Sequence, residues 1–459
     1  MTYLKTEDIL AATGGRLLCE GPGAYSGVSI DSRTIGDGEF FVALQGARSD
    51  GHRYLTAALE RAAGAVVSIV PQETIVGKTI ILVGNTLEAL QALALYLRQK
   101  RAIPAIAIVG TNGKTTTKEL VASIFSTTQQ VLKTSGNLNN HIGLPLCISR
   151  MTGNEGIMVL EMGSNAAGDI KVLCDIAKPD YAVMTNVGPA HLEGFGSIEA
   201  VRSTDLEVLD YVGTFAANAD DQLLMDGLAP GLTGYTGRTI TYGIGHPADV
   251  TARDIDLREK GSCFHLCLPD GSESIVHLQL SGRFNISNAL AAASIAFAAG
   301  ASPDSIQGGL EAFTGVPMRL EIKELGGMLI ISDVYNANPA SMEQGVRELV
   351  RLKRERTIAV LGDMLELGAY SEAAHQGLVA LLNELNVGML ICVGEEMRKA
   401  SAAFRGDCYS ADDSFQAGAI LADISRKGDT VLLKGSRGMR MEQVLGELET
   451  SFSGVGDAL

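Results

Sequence analysis

The segment Gly110-Thr111-Asn112-Gly113-Lys114-Thr115-Thr116 follows an apolar run, Ala105-Ile-Ala-Ile-Val109, and leads into a helix-forming stretch from Lys114. A turn between a buried strand and a helix presents unpaired backbone N–H groups and the positive end of the helix, which favour a polyphosphate. Gly113 permits close backbone approach, Lys114 can reach the β- and γ-phosphates, and the Thr115 hydroxyl can bind Mg2+. The full P-loop pattern is not met, since Ile108 stands where that pattern has its first glycine. A plain helix-capping turn is the alternative, and the strand–turn–helix context favours nucleotide binding.

Two further features share this sheet edge. Glu161 closes the apolar run Gly156-Ile-Met-Val-Leu160, at the carboxyl end of a strand, where open α/β sheets bind ligands. His191 ends the loop Thr185-Asn-Val-Gly-Pro-Ala-His191 after the next apolar run, Tyr181-Ala-Val-Met184. Taken singly, the first could be a charge at a helix start and the second a surface residue. Beside a phosphate loop they are expected Mg2+ ligands that neutralise a transferring phosphate.

The elements that must position these groups are legible as alternating apolar runs. Strands are predicted over residues 40–44, 65–70, 79–83, 105–109, 156–160 and 181–184, with helices over 54–63, 86–99 and from 114. After Gly315-Val-Pro317, strands at 328–331, 357–361, 389–393 and 430–433 alternate with helices at 339–352, 371–385, 395–404 and 413–426. Single helices between strands imply βαβ units and parallel sheets, so the fold class is α/β. Three domains are expected, with boundaries at 1–84, 85–314 and 315–459. The Ala-rich stretch from Ala289 to Ala301 reads as a buried helix.

The bulk composition narrows the partners. A formal charge of −16 excludes a general nucleic-acid-binding surface, which is normally basic. The seven cysteines are odd in number and scattered, the start Met1-Thr-Tyr-Leu-Lys has no leader-like apolar core, and no apolar run approaches the ~20 residues that span a bilayer. A reducing cytoplasm without membrane insertion is expected. Cys263, His265 and Cys267 alternate along one expected strand and so share a face, but half a ligand set does not hold zinc tetrahedrally.

The motifs together resemble the Mur ligases over the length of the chain. The resemblance rests on residues 110–116, on Glu161-Met-Gly163, and on Thr185-Asn-Val-Gly-Pro-Ala-His191-Leu-Glu. Asp333-Val-Tyr-Asn336-Ala-Asn338-Pro339 and Leu361-Gly-Asp363-Met-Leu-Glu366-Leu-Gly368 are similar to the branch that adds D-alanyl-D-alanine to a UDP-linked muramoyl tripeptide. The Asp-Asn-Pro-Arg motif of the branch adding the third amino acid is absent. Asp31-Ser32-Arg33, Phe40-Phe-Val-Ala-Leu44 and Asp50-Gly-His52 resemble the family's uridine-nucleotide domain.

The resemblance implies three domains, for the UDP-sugar, for ATP on a central P-loop-type parallel sheet, and a Rossmann-like C-terminal one for the dipeptide. It implies ATP and Mg2+ as cofactors and small-molecule substrates; a monomer is expected, although the sequence leaves the oligomeric state open. By matching position, Lys114, Thr115 and Thr116 hold phosphates and Mg2+, Asn285 and Asn288 lie near adenine, and Arg319 faces the γ-phosphate. Asp333 and Asn336 meet the nucleotide from the third domain. Lys114, His191 and Arg319 form the implied catalytic set. Ser32, Arg33, the loop Asn137-Leu-Asn139-Asn140-His141, and Lys434 with Arg437 are the implied substrate contacts. The Asn137–His141 loop is otherwise simply turn-rich, and a solvated basic loop is the alternative at 434–437.

One departure stands out. Most members of the family carry a CO2-carbamylated lysine shortly after the histidine loop, as a ligand of a second Mg2+. With Glu207 matched to the family's glutamate, that place holds Asp205, and no lysine occurs between Lys178 and Lys260. Aspartate supplies the same charge and a hard oxygen from a shorter arm, so Asp205 is the expected replacement. Another ligase of the superfamily, such as a folylpolyglutamate synthase, and a non-catalytic nucleotide-binding module are the rival readings. The Tyr-Asn-Ala-Asn-Pro run and UDP-type segment oppose the first, and the complete phosphoryl-transfer set opposes the second.

Overall fold

The computed structural model describes residues 4–46, 49–72, 76–229 and 231–453; Met1-Thr2-Tyr3, part of the start expected to carry no leader-like core, lies outside them. Apolar runs bounded by glycine and polar turns form three main sheets, and the amphipathic stretches between them form the covering helices.

The N-terminal sheet runs in the order Arg16–Cys19, Thr79–Leu82, Gly64–Val67, Phe40–Val42 and Val28–Ser29, parallel except for its first pair. The helix Thr86–Lys100 starts at Asn85, whose side chain accepts from the N–H groups of Leu87 and Glu88. It buries Leu90, Leu93 and Leu97 in the N-terminal core and Ala94 in the neighbouring central core. One helix therefore seams two units.

The central sheet has nine strands. From one edge run Val131–Lys133, Ile157–Glu161, Ala105–Val109, Tyr181–Met184, Thr214–Asn218, Arg238–Gly243 and Val250–Leu257, all parallel, then Ser262–Cys267 and Glu273–Leu278, antiparallel. The sheet expected as parallel thus carries an antiparallel extension. Its strands alternate: Ser262, Phe264 and Leu266 are buried, while Cys263, His265 and Cys267 share the half-buried face, a pattern suited to a sheet solvated on one side. On that face Arg253 Nε donates to Cys267 Sγ, and His265 pairs with Asp254. The helix Arg283–Ala298 buries nearly every residue from Asn288 to Ala296, as its alanine content predicts.

The C-terminal sheet has the order Glu321–Leu325, Met328–Asp333, Thr430–Lys434, Thr357–Gly362, Met389–Val393 and Asp407–Ala411, antiparallel only at the first pair. Helices on both faces give it the Rossmann-like form. Among the described residues no helix is long and apolar enough to cross a membrane.

Candidate active site

Three adjacent parallel strands aim their loops at one place. Ala105–Val109 lies between Ile157–Glu161 and Tyr181–Met184, with Glu161 opposite Ile108 and Met184 opposite Val109. The phosphate loop, Glu161 and the histidine loop therefore leave the sheet at one level. Gly110 and Gly113 have φ of 115° and 81°, and a Cβ on Gly113 would lie 2.2 Å from Asn288 Oδ1, so neither position accepts a side chain. The histidine loop clamps the phosphate loop: Asn112 N–H donates to Asn186 Oδ1 at 3.0 Å, Asn186 Nδ2 donates to Asn112 O at 3.0 Å, and Gly188 N–H donates to Thr111 Oγ1 at 2.9 Å. The helix Lys114–Ser126 is fixed beneath by buried Leu120, Val121, Ile124 and Phe125. Lys114 Nζ donates to the carbonyls of Gly110 and Thr111, which park its charge at the loop mouth. Thr115 and Thr116 follow on the first helical turn and line the same cleft.

Two buried carboxylates flank this loop. Glu161 Oε1 accepts from Asn139 Nδ2 at 2.8 Å, while Oε2 has no hydrogen-bond partner. Behind it lies Lys118, fully buried, which donates to Thr134 O at 2.8 Å, pairs with Glu119 at 2.9 Å, and sits 3.9 Å from Glu161 Oε2. Asp205 is 1% exposed, its Oδ1 accepts from Ser164 Oγ at 3.0 Å, and its Oδ2 also lacks a partner. Burial pushes the Asp205 carboxyl up to about 6, against the pull of the Lys114 charge and the Ser164 hydrogen bond. A buried, unpartnered carboxylate oxygen is costly unless something positive completes it. Among the described residues no group of three or more His, Cys, Asp or Glu could by itself hold a metal ion. The unpartnered oxygens of Glu161 and Asp205 fit Mg2+, a hard cation that takes few protein oxygens and completes its shell with water and substrate phosphate. The adjacent Glu207 does something else: it accepts from the N–H groups of Gly168 and Lys171 and so caps a neighbouring helix.

The far wall comes from the C-terminal unit, enclosing a cleft of about 1110 Å³. Arg319 lies in the connecting segment between Met318 and Leu320, whose φ values are 65° and 46°. Its guanidinium sits 4.2 Å from the Tyr335 ring centroid, and its Nε is buried without a partner. Tyr335 N–H donates to Met318 O, and Leu320 N–H to Asp333 Oδ1, so the strand end and the connector hold each other. Asn285 Oδ1 accepts from Asn288 Nδ2 at 3.2 Å, and Asn285 Nδ2 donates to Ser281 O at 2.8 Å. Lys434 lines the cleft but is 1% exposed; it pairs with Asp333, its register partner on the adjacent strand, and donates to Asn336 O at 3.2 Å. Arg437 is the freer cation, half-exposed and 3.2 Å from Glu442, with its N–H donating to Asn336 Oδ1.

The chain can be compared with known proteins on this geometry. Family models match residues 24–102 (Mur ligase family, catalytic domain), 108–296 (Mur ligase middle domain) and 318–437 (Mur ligase, glutamate ligase domain). It is 35% identical to the UDP-N-acetylmuramoyl-tripeptide--D-alanyl-D-alanine ligase of Bacillus subtilis, covering 92% of this chain and 93% of that one. The Escherichia coli ligase of the same name is 33% identical over the same shares. The chain belongs to the Mur ligase family. Its fold superposes on a crystal structure of MurF from Acinetobacter baumannii with a TM-score of 0.89, at 29% identity and with 97% and 98% of the two chains covered. For MurF from Thermotoga maritima in complex with ADP the values are 0.81, 30%, 94% and 98%.

In this Mur ligase the expected substrate contacts fall in two places. Asn137, Asn139 and Asn140 line the cleft, whereas His141 does not and its carbonyl accepts from Gln91. Ser32 and Arg33 lie in the N-terminal unit, apart from the cleft lining. Arg33 is exposed and bonds Asp31 through Nε at 2.9 Å and Nη2 at 2.7 Å, which holds the Asp31 carboxyl at about 2. Asp205 is not in the lining, but its partner Ser164 is. Four residues that face or brace the site carried no role in the sequence reading: Lys118, Tyr335, Asn338 and Glu366. Lys118 follows Lys114 by one helical turn, a spacing that puts it on the same face, and this was the available signal. Nothing local marks Asn338 and Glu366 as the ones that reach another unit, or Tyr335 as the ring that meets Arg319.

Proposed function

We propose that this chain joins D-alanyl-D-alanine to UDP-N-acetylmuramoyl tripeptide at the expense of ATP, in the cytoplasm, as a step of peptidoglycan precursor synthesis. The observation that carries this reading is the single cleft in which the phosphate loop and Glu161 face Arg319, Asp333, Asn336 and Arg437 across two units. That arrangement supports ATP on one wall and an incoming amine on the other. In this reading residues 1–84 take the UDP-sugar, 85–314 take ATP, and 315–459 take the dipeptide. Action as a monomer belongs to the same proposal.

A carboxylate is a poor target for an amine because its oxygen leaves badly. Attack of the tripeptide carboxylate on the γ-phosphorus breaks the bond to ADP and gives an acyl phosphate. The dipeptide amine then adds to the acyl carbon, loses its proton, and the tetrahedral intermediate expels inorganic phosphate. Phosphoryl transfer of this kind depends on positioning and charge neutralisation. Lys114 supplies a mobile positive charge, Arg319 a guanidinium held on Tyr335, and Gly110–Thr116 a row of N–H donors. Mg2+, when bound, supplies further neutralisation, and Thr115, Glu161, His191 and Asp205 would hold it. Asn285 and Asn288 would approach the adenine, and Asn139 keeps Glu161 aimed. With Lys434 committed to Asp333, Arg437 is the cation left for the dipeptide carboxylate.

The test is ADP release measured with muramoyl tripeptides ending in lysine or in diaminopimelate, each with and without D-alanyl-D-alanine. Release should require tripeptide and dipeptide together, and the preferred tripeptide identifies the third residue. Rapid ATP hydrolysis unchanged by either substrate would refute the ligase reading.

A further inference from the structure

His191 and Glu366 come from loops on different sheets, and His191 Nδ1 lies 2.6 Å from Glu366 Oε2. Both residues have left-handed backbone, with φ of 50° and 64°. Outside glycine that conformation is strained. The pair itself is partly exposed, with side-chain exposures of 35% and 60%, and such pairs contribute little to stability. Stability of the pair therefore does not account for the strain at both ends, and strain that the surroundings impose on a cleft residue points to function.

The surroundings do impose it. Asp363 accepts from the N–H groups of Glu396 and Met397, Met364 N–H donates to buried His375, and Leu365 N–H donates to Ser436 Oγ at 2.8 Å. Met364 and Leu367 are buried on either side, so Glu366 is presented outward from a clamped segment. Across the gap Glu193 N–H donates to Glu366 O at 3.3 Å, which docks the two loops through backbone as well.

We propose that Glu366 is a positioning residue for His191, supplied by the C-terminal unit to complete the metal-facing side of the central one. A carboxylate on Nδ1 fixes the ring's orientation and the tautomer with hydrogen there, and leaves Nε2 as the lone-pair donor. Because the carboxylate arrives from the opposite unit, His191 is oriented only while the two units are together. Closure of the cleft and readiness of the ligand become one event. This rests on the ligase reading and deepens it.

The experiment uses full-length protein with 15N-labelled histidine, as wild type, Glu366→Ala and Glu366→Gln. In metal-free wild type, side-chain NMR should show His191 with its hydrogen on Nδ1, and Glu366→Ala should lose that preference. Binding of a non-hydrolysable ATP analogue, followed by calorimetry across Mg2+ concentrations, should need about 10-fold or more extra Mg2+ in Glu366→Ala. Turnover should fall by a similar factor, with KM for the UDP substrate within about twofold and melting within about 2 °C. Glu366→Gln, whose amide oxygen still accepts from Nδ1–H, should recover most of the loss. Wild-type Mg2+ dependence in Glu366→Ala overturns the proposal. So does tighter Mg2+ binding, which would mean that the pair competes with the cation. The tautomer and Mg2+ readouts need no turnover, so failure of the ligase reading would show separately, as absent activity in the wild type.

Discussion

Asn338 uses its two amide atoms in two units of the molecule: Oδ1 accepts from Ser341 N–H at 2.9 Å and caps the helix Pro339–Arg351, while Nδ2 donates to Asn112 Oδ1 at 2.8 Å in the phosphate loop. Asn338→Asp separates these roles. Aspartate caps a helix as well as asparagine does, so the melting temperature should stay nearly unchanged. The donor to Asn112 is lost and a negative charge is left beside the phosphates, so KM for ATP should rise roughly tenfold. A variant with normal KM for ATP would reduce the bond to an incidental contact.

Lys114→Ala should remove most activity while the fold persists. Its ammonium rests on loop carbonyls, so no core contact is lost. Removing a preorganised stabilising charge costs ~10²–10³-fold in rate. Near-normal turnover with an unchanged melting curve would refute the phosphate-site assignment.

Much of this site was legible because fully buried parallel strands are short apolar runs with polar ends. Ala105–Val109, Tyr181–Met184 and Met389–Val393 match the expected runs, and Glu161 stands at a strand end as read. The helix expected over 54–63 is instead a 3-10 turn, Gly51–Tyr54, and a short helix, Leu55–Leu59; that expected over 395–404 breaks after Ala400. Such ends are set by tertiary packing, which overrides propensity. What pairs across strands or units was not legible. Lys434 is an implied substrate contact just past an expected strand, but register places it against Asp333, and Glu366 reaches His191 only once two sheets are assembled.

Tyr335→Leu should free Arg319 from the ring face it covers at 4.2 Å. A cation–π contact is worth about 0.5–2 kcal/mol, so turnover should fall about 2- to 30-fold, with Tyr335→Phe near wild type. Equal losses in both variants would assign the effect to the hydroxyl.

Arg33→Ala should weaken binding of the UDP substrate and leave ATP affinity unchanged, since Arg33 lies outside the ATP cleft. Calorimetry with each ligand checks this. Equal losses for both would mean that the fold, and not one pocket, was damaged.

Asp205 links stability to the metal site. Its folded value of about 6 lies above the ordinary 3.8 because burial disfavours the charge. Between those values the folded protein binds more protons than the unfolded chain, so stability falls as pH rises through that window and stays lower above it. The ionised group thus costs metal-free protein on the order of 3 kcal/mol at pH 8. Asp205→Asn has no charge to bury, although its amide brings a fixed cost where Oδ2 lacked a partner. That cost cancels when two pH values are compared. In metal-free buffer the stability of Asp205→Asn relative to wild type should increase by about 1 kcal/mol or more from pH 5 to pH 8. Mg2+ with a non-hydrolysable ATP analogue should remove most of that increase, because the cation offsets the buried charge of wild type alone. Turnover of Asp205→Asn should need more Mg2+, and wild type should not respond to added bicarbonate, since no carbamate is required. A pH-independent difference in melting would show that the carboxylate is compensated within the protein. Wild-type Mg2+ dependence in Asp205→Asn would remove Asp205 from the metal site.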